Sequence, residues 1–315
     1  MLNEAIRILN FDDSVIKQKR LLEQYKPAVI DFKRIAPFTR LWLNKKIEKE
    51  IAASLAPEFI NSVTFLGSGD FHHISSLLIQ QFREPINLII FDNHPDWDCL
   101  PPKIGCGSWV SRIQRLENVE KIILLGVSSE DISFPSILTG NLASLKDNRL
   151  EIYPFMHRPT RVLFKRVPEN ISINIKRGKF SSDIYWQELK GKDLKNFMLQ
   201  TASRLKNKKV YVSIDKDCLA SQYALANWEE GNFSLDGLLD ILGVIKNDLD
   251  IVGLDIVGDY SELNIKSKIK SFFSLLDHPK NYSSRNKSRE YINSVNEETN
   301  MKIMKLLRGS VTKSP

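Results

Sequence analysis

The sequence predicts an α/β protein built on a mostly parallel sheet. Three observations carry that prediction. Short apolar runs recur between helical stretches, several runs are apolar on both faces, and acidic or imidazole side chains stand just beyond several of them. A run that is apolar throughout reads as a strand buried on both sides, as in a parallel sheet covered by helices. Strand-helix alternation of this kind gives right-handed crossovers.

The chain begins less clearly. Residues 1–60 read as mostly helical, with one helix from Asp12/Asp13 to Tyr25 and another over Arg34–Ala56. A short strand, PAVIDF (27–32), separates them, and Phe38 and Trp42 are core candidates. From Val63 the rhythm is strand, turn, helix: a strand at Ser62–Leu66, a turn at Gly67–Asp70 and a helix over His72–Arg83. A strand at Ile86–Phe91 follows, then a Pro/Gly-rich loop to Gly107, a helix over Ser108–Leu116 and the strand KIILLGV (121–127). Residues 128–188 carry weak signals, with short strands at Leu150–Tyr153 and Ile171–Ile175. Regularity returns with a helix at Lys192–Leu205, a strand at Val210–Ile214, a helix at Leu235–Lys246 capped by Ser234, and a strand at Ile251–Val257. Two amphipathic helices, Glu262–Leu276 and Arg289–Leu307, flank the polar connection HPKNYSSRNKS (278–288).

Composition narrows the class of protein. The chain of 315 residues is 42% hydrophobic and 26% charged, as ordinary globular proteins are. No signal peptide is legible, and no apolar run approaches the roughly 18 residues of a membrane span. Three widely spaced cysteines, Cys99, Cys106 and Cys218, argue against a disulfide framework and for the cytoplasm. The net charge of +7 gathers in Lys165–Lys179 and Lys190–Lys209 and reads as a solvated basic surface. No nucleic-acid motif accompanies it, so a nucleic-acid partner is not expected.

The chemistry gathers at the ends of strands. In NLIIFDNHPDWD (87–98), Asp92, His94, Asp96 and Asp98 alternate with single residues, so on extended backbone they point the same way. Asp215 and Asp217 follow VYVSI, Asp255 and Asp259 close the last strand, and Asp70, His72 and His73 follow the strand at 62–66. In open α/β sheets that edge is where ligands bind. Each group alone has a plainer reading: Asp70 as a helix cap, the histidine pair as packing, SIDKDC as the aspartate pair of a phosphoryl-transfer enzyme. Together, Asp92, His94, Asp96, Asp215 and Asp217 would place four carboxylates in one crevice, which repel unless cations or protons neutralise them. Two divalent metals suit that count better than one tetrahedral zinc.

These motifs resemble the arginase–deacetylase superfamily, in its ureohydrolase (arginase-like) branch. GSGDFHH resembles the family's Gly-Gly-Asp-His turn, FDNHPDWD its Asp-X-His-X-Asp motif, SIDKDCLA its Ser-X-Asp-X-Asp motif, and GLDIVGDYS the strand that closes its active site. The resemblance implies a three-layer α/β/α domain over residues 1–280 with a C-terminal helical extension, 281–315. It implies a binuclear centre, manganese first and zinc or iron as alternatives, held by His72, Asp92, His94, Asp96, Asp215 and Asp217. Asp92 and Asp215 would bridge the ions, and a shared hydroxide would hydrolyse a non-peptide C–N bond in a small molecule. His72 is preferred to His73 as the sixth ligand, on helix phase. The relatives' habit of assembling makes a homo-oligomer an expectation. Departures are equally clear. Cys106 stands where the family has a proton-shuttling histidine, and Gly258, with Asp259 beside it, where the family has a guanidinium-holding glutamate. Cys106, His73 and Asp259 are therefore the catalytic candidates, and arginase activity itself is not expected. The alternatives are a catalytically silent binding protein on the same scaffold and a phosphatase of the haloacid-dehalogenase type using Asp215 and Asp217.

Overall fold

A computed structural model describes residues 5–55, 60–102, 104–277, 284 and 287–308. In chain order these form β1 (Ile6–Asn10), α1 (Lys19–Tyr25), β2 (Ala28–Asp31), α2 (Ala36–Thr39), α3 (Lys45–Ser54), β3 (Val63–Gly67), α4 (Ser75–Ile79), β4 (Ile86–Phe91), α5 (Trp109–Ile113), β5 (Val119–Leu125) and β6 (Leu150–Tyr153). Then come β7 (Thr160–Leu163), β8 (Ile173–Arg177), β9 (Ser181–Trp186), α6 (Leu194–Arg204), β10 (Lys209–Asp215), α7 (Leu235–Asp248), β11 (Asp250–Val257), α8 (Lys268–Asp277) and α9 (Arg289–Arg308).

Eight strands form one parallel sheet in the order β2-β1-β3-β11-β10-β4-β5-β6. Alternate residues of its central strands enter two different cores. Leu88, Ile90, Ile122 and Leu124 pack on one face with Ile51, Leu77 and Val110 from α3, α4 and α5. Ile89, Phe91, Ile123 and Leu125 pack on the other with Leu21, Met198, Leu238 and Ile303 from α1, α6, α7 and α9. This double burial is why these strands read as continuous apolar runs, and it makes the fold a three-layer α/β/α sandwich. Between β3 and β4 the chain order reverses, with β11 and β10 inserted between them. That reversal opens a crevice at the strands' carboxyl ends.

Several local expectations hold and several do not. The strand expected at Leu150–Tyr153 is β6, and Ser234 caps α7 by accepting the Gly237 N–H at 3.0 Å. The helix expected from Asp12 begins only at Lys19, because Asp12 has another task. Its Oδ1 accepts from Ser14 N and Oγ, and its Oδ2 from Ser68 N, stapling the end of β1 to the turn after β3. β1 was hidden by that helical reading. The helix expected over His72–Arg83 is a 3₁₀ turn at Gly69–Ile74 followed by the short α4. Phe38 is exposed and Trp42 half-buried, so neither is a core residue. Residues 128–188 contain a three-stranded antiparallel sheet, β7-β9-β8, of which only β8 was expected. The polar connection at 278–288 lies largely outside the described residues. No described helix is long and apolar enough to cross a membrane.

Replacing Ser234 by alanine removes the α7 cap and is expected to lower stability by about 1 kcal/mol. Urea denaturation should show a shifted midpoint with an unchanged slope.

Candidate metal centre

Strand register builds the centre. Phe91 of β4 pairs with Ile214 of β10, so the next residues, Asp92 and Asp215, leave the sheet side by side. Each carboxylate then folds back on its own backbone. Asp92 Oδ1 accepts the His94 N–H at 2.7 Å, and Asp215 Oδ1 accepts the Asp217 N–H at 3.0 Å. These bonds to the residue two ahead are Asx turns. One oxygen of each aspartate is thereby pinned and the other, Oδ2, is free to face His72, whose Nδ1 lies 3.1 Å from Asp92 and 3.4 Å from Asp215.

His72 arrives from the 3₁₀ turn after β3. Its Nε2 lies 2.9 Å from Ser213 Oγ, and Ser213 donates its hydroxyl proton to Asp255 Oδ1 at 2.7 Å. Asp255 also accepts from Tyr211 Oη at 2.6 Å. The serine oxygen therefore accepts from Nε2–H, and Nδ1 faces the carboxylates. Asp96 completes this group: its Oδ2 accepts from Trp109 Nε1 at 2.7 Å and lies 3.4 Å from His72 Nδ1. On the other side His94 Nδ1 lies 3.0 Å from Asp217 Oδ2, while Asp217 Oδ1 accepts the Asn93 N–H at 3.1 Å.

The sequence named these residues on an argument of extended alternation, and the structure brings them together by another route. Residues 92–97 are a bent loop, and Asp96 has φ +46°, a left-handed conformation that aspartate tolerates better than most side chains. Turns, not a continuing strand, aim Asp96 back at Asp92.

Two donor triads result, His72/Asp92/Asp96 and Asp92/His94/Asp217, each with ligand atoms within 4.8 Å of one another. Asp92 belongs to both. Two buried atoms of the first triad, His72 Nδ1 and Asp92 Oδ2, make no aligned hydrogen bond, although they are 3.1 Å apart. Adjacent donors around an octahedral ion at about 2.1 Å stand about 3 Å apart, which matches the spacings here. An oxygen-rich set with two imidazoles fits a hard or borderline divalent cation such as manganese.

The electrostatics fit the same picture. Burial and the neighbouring Asp92 charge push Asp96 up to about 8. Burial, then Asp217, holds Asp215 well above the usual carboxylate range. Asp217 is raised by burial, with His94 opposing. Burial also works against ionised Asp92, yet the His72 and His94 imidazoles beside it hold it down at about 2. For His72 burial opposes protonation, but Asp92 and Asp96 outweigh it and raise the imidazole well above its ordinary value. His94 is raised in the same way by Asp217, again against burial. Buried carboxylates that favour protons are groups that cations can neutralise in the protons' place.

A cleft of about 180 Å³ opens over the triads, walled by Trp97, Asp98, Cys106, Gly107, Asp131 and Trp228. Of the catalytic candidates, Cys106 lies on this wall and is partly exposed. His73 does not line the cleft: it is fully buried, burial lowers it to about 3, and neither ring nitrogen has a hydrogen-bond partner. Asp259 also lies off the wall, its Oδ1 accepting from Lys216 Nζ at 2.8 Å and Gln18 Nε2 at 2.7 Å. Asp70 pairs with buried Arg40 and accepts from Trp228 Nε1 at 2.9 Å, while Ser68 caps the turn. Sequence reasoning missed Trp228 and Asp131, which reach the cleft from loops without a motif. Gly258 has no room for a side chain: its φ is +88°, and a Cβ there would collide with Asp215 Oδ1 and Lys216 N.

The site so assembled is a candidate two-metal centre at the switch point of a three-layer parallel α/β fold. Solved structures share that fold. A Bacillus subtilis formimidoylglutamase superposes with a TM-score of 0.56 at 13% identity, covering 98% of this chain and 87% of that one. An Entamoeba histolytica arginase in complex with L-ornithine gives 0.54 at 10% identity, covering 98% and 99%. A hypothetical agmatinase from Burkholderia thailandensis gives 0.53 at 13%, covering 98% and 89%. The chain therefore has the arginase-type fold. A Thermotoga maritima protein described only as uncharacterized is 24% identical over 259 residues, 82% of this chain and 81% of that one. No family model matches the chain.

Two outcomes follow. In chelator, stability should fall as pH rises from about 4 to about 8, because folded Asp96 (about 8) keeps a proton that the unfolded chain has lost. Each such group contributes about 1.4 kcal/mol per pH unit, and urea denaturation with and without Mn²⁺ should show the slope vanish when the ion is present. Gly258→Ala should lower stability by about 1–3 kcal/mol through its left-handed backbone alone. Gly258→Glu should in addition weaken Mn²⁺ binding measured by calorimetry, because its side chain would meet Asp215.

Proposed function

We propose that this chain is a divergent ureohydrolase: a hydrolase that holds two divalent cations, manganese by preference, and cleaves a non-peptide C–N bond in an amidine, a guanidino compound or a linear amide. The observation that carries the reading is the sharing of Asp92 between two donor triads. Fold neighbours named as arginase, agmatinase and formimidoylglutamase support the reaction class. The phosphatase reading is set aside, because it leaves Asp92 and Asp96 without a role.

His72, Asp92 and Asp96 would hold one ion, Asp92, His94 and Asp217 the other, with Asp215 as a second bridge beside Asp92. The ions would supply Lewis acidity and a water of lowered pKa. The protein's own side chains do the rest. Pinned Oδ1 atoms on Asp92 and Asp215 fix where their Oδ2 atoms point. Trp109 Nε1–H orients Asp96, and the Asp255–Ser213 pair orients His72. Such outer hydrogen bonds hold donors in place and set their tautomers. We assign Cys106 Sγ, on the cleft wall, the proton-carrying role that the family gives to histidine. His73 packs behind the site, and Asp259 braces Lys216 between Asp215, at the end of β10, and Asp217, in the turn after it. With three free cysteines, we place the protein in the reducing cytoplasm.

A second reading has its own support. Gly258 leaves no room for a guanidinium-reading acid, so the scaffold could bind metal and ligand without turnover.

Metal analysis after Mn²⁺ loading and desalting should give two ions per chain, one in His94→Ala and none in Asp92→Ala. Fewer than one ion in the unaltered protein would remove the proposal. Across a panel of amidines, guanidines and linear amides, turnover should disappear in Asp215→Ala and fall about 10²-fold or more in Cys106→Ala. A protein that holds two ions and hydrolyses nothing would instead favour the silent binding reading.

A further inference from the structure

We infer that the substrate carries an apolar arm, which lies in a groove leading from the metal cleft between Trp42, Leu100 and Phe273. This rests on the reading of the cleft as a hydrolytic metal centre and adds the substrate's chemical class. A second hollow, of about 470 Å³, adjoins the cleft, and the two share Asp98, Cys106 and Gly107 as a common wall. Away from that wall the hollow is mostly apolar, built chiefly from Trp42, Leu100, Pro101, Pro102 and Phe273, with Ser108 among the remaining lining residues. Leu100 is 57% exposed and Phe273 45%, so apolar surface faces solvent directly beside a charged site.

The groove is a fixed extension of the wall. Leu43 N donates to Ile104 O at 2.9 Å and Cys106 N to Leu41 O at 2.9 Å, tying the segment before α3 to the loop that carries Cys106. Trp42 meets Phe273 edge to face at 5.8 Å. Lys270 Nζ, 5.0 Å from the Trp42 ring centroid, donates to the carbonyls of Phe38, Arg40 and Trp42, so its charge is held by backbone and does not line the groove.

Charge decides what fits. The cleft is walled by carboxylates, and among the described residues no lysine or arginine lines either hollow. Neither hollow therefore offers a lysine or arginine to a substrate carboxylate. The matching molecule is a cation or hydrogen-bond donor at its scissile end, alkyl or aryl beyond it, and free of carboxylate. Burying that arm supplies binding by removing apolar surface from water, with no need for the acid that Gly258 replaces.

The test is a calorimetric titration of the Mn²⁺-loaded protein with n-alkylguanidines from methyl to hexyl. Affinity should rise about fourfold per methylene, from about 0.8 kcal/mol per buried CH₂, over at least three carbons. In Leu100→Asp and, separately, Phe273→Asp, the hexyl-to-methyl affinity ratio should fall at least tenfold. Methylguanidine binding with a flat series overturns the arm and leaves the metal reading standing. Binding of no member to protein that holds its ions overturns both. The exposed side chains Ile269, Phe272 and Leu275 of α8 offer a rival occupant. A flat series together with a dimer in sedimentation that Phe273→Asp dissolves assigns the groove to a second copy of the chain and overturns the arm.

Discussion

The parallel register of β4 against β10 is the constraint on which the rest depends. Once Phe91 is paired with Ile214, two aspartates must leave the sheet as neighbours, at the centre of the molecule and out of water. Buried like charges raise one another's affinity for protons and oppose folding. The fold answers with imidazoles: His72 comes from the turn after β3 and His94 from the loop after β4, each set among carboxylates. Divalent cations answer more completely, since they satisfy both free oxygens and imidazole nitrogens at once.

A repeated local device makes the donors directional. In FDNHPD and in SIDKD an aspartate spends one oxygen on the N–H two residues ahead, and Asp217 spends one on the N–H of Asn93 in the other motif. A carboxylate held by one oxygen has little freedom left in the other. Trp109 and Ser213 extend this control to Asp96 and His72 from neighbouring elements. The two motifs, more than a hundred positions apart in the chain, thus present their free atoms to one small volume.

Much of this was legible in the sequence, because burial on both faces leaves a strong mark. Strands such as Ile86–Phe91 and Leu150–Tyr153 are buried at every position, with one polar residue each, Asn87 and Glu151, and were read to the residue. Clustered carboxylates beyond strand ends are equally visible, since so few arrangements place them there. What was missed lacks either mark. β9 buries only Ser182, Ile184 and Trp186 on one face, a weak alternation hidden among basic residues. β1 was obscured by Asp12, which resembles a helix cap but serves as a staple to the turn after β3. Trp228 and Asp131 reach the cleft only through tertiary contacts of irregular loops. The convergence of Asp92 and Asp96 was foreseen for a reason that does not apply, since a left-handed turn replaces the extended backbone.

The site gathers carboxylates and imidazoles around one crevice, while at Gly258 the backbone leaves no room for a side chain. The central claim is that one carboxylate serves two ions. Anomalous diffraction at the manganese edge from Mn²⁺-soaked crystals tests it most directly. The account predicts two peaks about 3.5–4 Å apart, one against His72 and Asp96, one against His94 and Asp217, with Asp92 between them. A single peak, or none near Asp92, would contradict it.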